Sequence, residues 1–184
     1  MLLLISATTW PAELGAILEN TAVEPPARVS FREERHNPIF KEPMVLTGHL
    51  EYMESGVLRK TIDTPFAEDI LVEADHVIVW RDDKAQKLPL NRSRALQVIL
   101  GAIEAVLAGD QERLEASFRC ELSGGEDAWT LQMTPLSRSV EKRVSALEIT
   151  GNSRAVTSIR VDLRDDEWHL MSIGDTQDDS HEEP

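Results

Sequence analysis

Residues 44–80 hold a succession of short runs in which apolar and polar positions alternate with a period of two. Such alternation predicts strands with one buried face. MVLTGHLEYM places Met44, Leu46, Gly48, Leu50 and Tyr52 on one face, and Val45, Thr47, His49 and Glu51 on the other. After a hairpin turn at ESG, VLRKTID returns with Leu58 and Ile62 on the same parity. Pro65 interrupts, and AEDILVEAD and HVIVWRDD follow around a turn at Ala74-Asp75. Upstream, ARVSFREERH alternates through Val29 and Phe31, and NPIFKEP is a connection punctuated by Pro38 and Pro43. Gly48 in mid-strand weakens pairing, unless the sheet bends sharply there or another backbone comes close.

The period then changes. RSRALQVILGAIEAVLAG carries Leu96, Ile99, Leu100, Ile103 and Leu107 at helical spacing. Gly109 ends that helix and Asp110 caps a short one, QERLEAS. The first of the two is unusually apolar for a surface helix and must lie against other apolar surface. Near the N-terminus, PAELGAILEN predicts a further short helix through Leu14, Ile17 and Leu18, with Pro11 near its start. The last third returns to strands: FRCELSG, AWTLQMTPL, VSALEITG, AVTSIRVDLR and EWHLMSIG. Turns at Gly124-Gly125, Gly151-Asn152 and Asp165-Asp166 separate them. The pattern therefore predicts a mainly β chain of about ten antiparallel strands, a barrel or sandwich, with helices as a lid rather than as crossovers.

Composition narrows the partners. A chain of 184 residues suits one domain, expected over 10–174, and buries enough surface to need no disulfide or metal. Net charge is −14, and the tail GDTQDDSHEEP holds only part of it. This acidity argues against nucleic acid and against an anionic lipid surface. The tail, 175–184, reads as disordered. MLLLISATTWP opens with an apolar run too short to span a bilayer. We read residues 1–9 as the residue of a signal peptide, with a buried N-terminal arm as the alternative.

Candidate chemistry is sparse. The histidines, His36, His49, His76, His169 and His181, show no metal-ligand spacing, and neither CxxC nor HExxH occurs. GxSxG and the phosphate-loop pattern are absent. Cys120 reads as a buried, inert thiol. Asp82-Asp83 and Asp165-Asp166 read as solvated turns, and Trp80, Trp129 and Trp168 as strand residues packed in the core. No metal or cofactor is expected. The surplus is apolar surface on a curved sheet facing an apolar helix. An acyl chain of about 12–16 carbons would gain about 10 kcal/mol gross from a dry cavity, at roughly 0.8 kcal/mol per methylene. The alternative is that the same residues fill a closed core.

ARVSFREERH, LTGHLEYMESGVLRKTIDTP and DILVEADHVIVWRDD together resemble the LolA-like periplasmic lipoprotein carriers. The resemblance rests on Phe31 with Glu33, Gly48 with Leu50 and Tyr52, Pro65, Asp75 to Trp80, and Leu131 with Pro135. It covers the chain from about residue 11 to residue 173. What it implies is an incomplete antiparallel barrel of about eleven strands closed by helices. Its hydrophobic cavity would hold the acyl chains of lipoproteins or other lipids. Such a monomeric periplasmic carrier would load at an inner-membrane exporter, unload at an outer-membrane acceptor and have no catalytic residue.

On that reading the wall comprises Phe31, Leu46, Leu50, Tyr52, Leu58, Ile62, Ile70 and Val72. Leu96, Ile99, Leu100 and Ile103 line the lid. One departure concerns an Arg before the hairpin turn, which in the housekeeping carriers hydrogen-bonds the lid. Glu54 stands there in this chain, and a carboxylate accepts where a guanidinium donates. The alternative function is an enzyme or accessory protein acting on a hydrophobic polyene or lipid intermediate. Tyr52, Glu73 and His49 are its nearest polar candidates, with strand parity turning His49 away.

Overall fold

A computed structural model describes residues 10–53, 57–125 and 127–174. The strands are β1 (Ala27–His36), β2 (Met44–Tyr52), β3 (Leu58–Thr64), β4 (Glu68–Val72), β5 (His76–Arg81) and β6 (Lys84–Pro89). After a helical insert come β7 (Phe118–Gly125), β8 (Ala128–Pro135), β9 (Val144–Gly151), β10 (Val156–Leu163) and β11 (Trp168–Ile173). All belong to one 11-stranded sheet of order β6-β5-β4-β3-β2-β1-β11-β10-β9-β8-β7. Each strand pairs with its neighbours in sequence, save that β6 and β7 do not meet and β1 pairs with β11 at one seam. Two meanders are thus zipped along their first and last strands. β6 and β7 remain free edges, so the barrel is open.

The helical insert joins those two edges. It consists of a 3-10 turn (Leu90–Arg92), α2 (Arg94–Leu107) and α3 (Gln111–Glu115), while α1 (Trp10–Thr21) precedes the sheet. The Ser93 hydroxyl accepts from the Leu96 amide at 3.3 Å to start α2. Gly109, at φ +69, ends it, and Asp110 caps α3 through the Arg113 amide at 3.0 Å. A last short helix, α4 (Arg138–Glu141), sits between β8 and β9.

Two elements were not foreseen. α4 is a single turn in a serine- and charge-rich stretch. β6 is almost wholly exposed and reads Lys-Ala-Gln-Lys-Leu-Pro, without an alternating apolar face. Its pairing to β5 through Asp82 and Asp83, both at positive φ, makes it a strand. Lysines on such an edge discourage pairing with other chains. Trp80 is a correction: it lies on the outer face and is 37% exposed. Trp168 is half-buried, also on the outer face, stacked on His36 at 5.3 Å with Arg160 4.8 Å above its ring. Only Trp129 among these is a core residue, and its indole N–H donates to the Asn152 carbonyl at 3.0 Å.

The main core lies between the helices and β7–β9. Leu14 and Leu18 of α1, Ala102, Ala105 and Val106 of α2, and Leu131, Met133, Leu147 and Ile149 of the sheet are buried there. Cys120 is half-buried beside it, and burial pushes its thiol up to about 11.

Candidate functional site

The other end of the sheet is packed differently. A small cluster of Phe31, Leu46 and Ile62 is fully buried at the base of β1–β3. A second, of Val72, Val77 and Leu90, lies under the start of α2. Around them stands a belt of apolar side chains that are only half-buried: Leu50, Leu58, Ile70, Val79, Leu96 and Leu100. Ile70 touches both clusters and joins them into one wall.

α2 explains why its sequence is apolar nearly all round. Ala95, Val98, Ala102, Ala105 and Val106 form one stripe, packed on the main core. Leu96 and Leu100 belong to the opposite stripe and pack toward Val72, Val77 and Leu90. The helix is a wedge between the two halves of the interior. The wall and lid positions divide accordingly. Phe31, Leu46, Ile62 and Val72 are buried, whereas Leu50, Leu58, Ile70, Leu96 and Leu100 form the half-buried belt. Ile99 packs on the main core rather than on the belt. Tyr52 and Ile103 are half-buried and belong to none of the three clusters.

Gly48 makes room for the backbone of β3. A Cβ there would stand 1.9 Å from the Thr61 carbonyl oxygen, and the β2–β3 register slips between Thr47 and Gly48. Another backbone does come close, as the lone mid-strand glycine implies.

The inner wall also carries charge. Glu33 is 4% exposed and shares the inner parity of Phe31. The Arg35 guanidinium donates to both its oxygens, at 3.0 and 3.2 Å. Lys60 runs over the Phe31 ring, 4.6 Å from its centroid, and its ammonium donates to the same carboxylate. His169 of β11 approaches Glu33 at 3.8 Å. Next along the wall, buried Glu68 pairs with Arg81, whose guanidinium lies over the Phe66 ring at 4.6 Å.

The electrostatics follow from burial and from who shares whom. Burial raises the Glu33 carboxyl, but Lys60 and Arg35 outweigh it and hold the group below the usual carboxylate range. Burial pushes the Lys60 ammonium below the usual lysine range, and Glu33 offsets only part of that shift. Burial and the nearby Arg35 charge hold the His169 imidazole below its ordinary value, so it is neutral at pH 7.

Sequence reasoning missed this group. Of its polar candidates, His49 does point outward, where its Nδ1 lies 3.1 Å from Asp63. Glu73 lies 3.0 Å from the His76 ring at the β4–β5 turn. The available signal was parity: Lys60 sits between Leu58 and Ile62 on their own face, and Glu33 follows Phe31 on its face. Glu54, residues 1–9 and the tail lie outside the described residues.

A family model described as outer membrane lipoprotein carrier protein LolA-like matches residues 6–176. The chain belongs to the LolA-like family. Among solved structures, it is similar to a LolA superfamily protein from Nitrosomonas europaea at 14% identity and a TM-score of 0.50, with 92% of this chain and 93% of that chain covered. It is also similar to a DUF1329 family protein from Desulfovibrio piger at 10% identity and a TM-score of 0.51, with 90% of each covered. The lipoprotein LppX of Mycobacterium tuberculosis aligns at 12% identity and a TM-score of 0.47, with 92% and 95% covered. Among curated proteins, none matches this sequence. The first two likenesses are of fold. Among the described residues, no helix of this LolA-like chain is long and apolar enough to cross a membrane.

Proposed function

We propose that this chain is a periplasmic carrier that takes the acyl chains of lipoproteins or other lipids into the groove between β2–β5 and α2. It would move them from the inner to the outer membrane, loaded by an exporter and relieved by an acceptor, with residues 10–174 acting as one lipid-binding domain. The observation that carries this reading is the half-buried belt, Leu58, Ile70 and Val79 facing Leu96 and Leu100. The main core has a half-buried margin too, but there it surrounds sixteen buried residues, whereas this belt surrounds only Val72, Val77 and Leu90. Apolar surface left partly open beneath a helix is what an apolar ligand would cover, and its burial needs no reactive group.

The test is mass spectrometry of organic extracts from freshly purified protein, together with titration of a fluorescent fatty acid. Co-purified lipid and saturable binding that is lost in Leu50→Glu are expected. Absence of both in the unaltered protein would end the carrier reading. A second reading, catalysis on a polyene or lipid intermediate, is favoured only by the Glu33–Lys60 pair on the inner wall. Each of those groups is held by the other, which suits binding better than proton transfer.

A further inference from the structure

On the inner wall three cations, Arg35, Lys60 and Arg81, face two carboxylates, Glu33 and Glu68. Glu33 is a single carboxylate serving two cations, Arg35 and Lys60. His169 beside it is neutral, and the neighbouring Glu68 is taken by Arg81. One positive charge is therefore left over on this wall, in a chain whose net charge is −14. Lys60 is the least exposed of the three cations, at 16% against 32% for Arg35 and 52% for Arg81, so it gains most from a further anion. The surroundings say what kind of anion. In the strand register Lys60 lies between Leu50 and Ile70, both members of the half-buried apolar belt. Lys60 and Arg35 keep 16% and 32% of their side chains exposed, so both remain reachable.

We infer that the ligand of this groove is an acyl chain ending in a carboxylate, with Lys60 as its anchoring cation and Arg35 beside it. The chain would run over Leu50 and Ile70 toward Leu96 and Leu100. A monoanion matches the single uncompensated charge. The inference rests on the groove being a lipid site and names which lipid it takes. A neutral acyl group would leave the extra charge uncompensated.

The experiment uses the full chain and a neutral reporter, N-phenyl-1-naphthylamine. Dodecanoate, dodecanol and dodecyltrimethylammonium compete for it, the ions below their micellar concentrations and the alcohol below its solubility limit. Dodecanoate is expected to displace the reporter at about tenfold lower concentration than dodecanol, the worth of one charge-assisted hydrogen bond, with the cationic amphiphile weakest. Lys60→Met should remove the advantage of dodecanoate and leave dodecanol unchanged, and Lys60→Arg should keep it. Equal displacement by dodecanoate and dodecanol in the unaltered protein overturns the anchoring role and leaves the carrier reading standing. It would make Glu33, Arg35 and Lys60 a purely architectural ion cluster. No binding of the reporter or of any amphiphile overturns both.

Discussion

Gly48 and Thr61 come so close across the β2–β3 pairing that a side chain at position 48 would meet the Thr61 carbonyl oxygen at 1.9 Å. That oxygen belongs to the backbone and cannot swing aside. Gly48→Ala is therefore expected to cost about 1–3 kcal/mol, as overpacked sites do. Thermal unfolding should show a midpoint lowered by several degrees, at about 2–4 °C per kcal/mol for a chain of this size. An unchanged midpoint would mean that the close approach is not a constraint on the wall.

Glu33→Gln leaves Lys60 and Arg35 facing an amide on a buried wall. Removal of one partner from a buried pair costs about 3 kcal/mol or more, which urea unfolding at pH 7 would register. The pH dependence fixes the mechanism. The Glu33 carboxyl titrates lower in the fold than in the unfolded chain. Its contribution is thus complete above the ordinary carboxylate value and is lost as pH falls through the lower, folded one. The gap between unaltered protein and Glu33→Gln should accordingly be widest near neutrality and close in acid. A gap independent of pH would assign the loss to packing.

The two stripes of α2 should respond differently to substitution. Ala105 is fully buried on the main core, so Ala105→Leu is expected to cost about 1–3 kcal/mol by overpacking. Leu100 is half-buried on the belt, so Leu100→Ala should cost only about 1 kcal/mol. It should nevertheless weaken binding of a fluorescent fatty acid severalfold. A Leu100→Ala variant that binds normally would show that the belt does not meet the ligand.

The β5–β6 turn offers a stabilising change. Asp82 and Asp83 both occupy the left-handed region, at φ 51 and 58, and carry like charges side by side. Replacement by Asn-Gly suits that turn and should add about 1 kcal/mol, read as a raised thermal midpoint. Dodecanoate binding, measured by reporter displacement, should not change.

Much of this architecture was legible from alternation and spacing. The parity of Leu46, Gly48 and Leu50, the caps at Gly109 and Asp110, and the close backbone approach at Gly48 are local signals, and the structure repeats them. β6 was not legible because an exposed edge strand has no buried face to leave an alternating trace. Trp80 misled for a related reason, since a large aromatic on a strand says nothing of which face it occupies. The charged group on the wall was missed because residue type was weighed before parity. Lys60 reads as a surface residue until it is placed on the face it shares with Leu58 and Ile62. Which α2 stripe meets the core and which meets the belt depends on two partners distant in sequence, and a one-dimensional period cannot distinguish them.

The seam between β1 and β11 bears on how the molecule is assembled. Phe31 pairs with Ile173, so the contact that unites the two meanders joins residues far apart in sequence. Without that pairing the first six strands would have two bare edges, open to pairing with foreign strands. Closing so long a loop is slow, so the seam is expected to form late in folding.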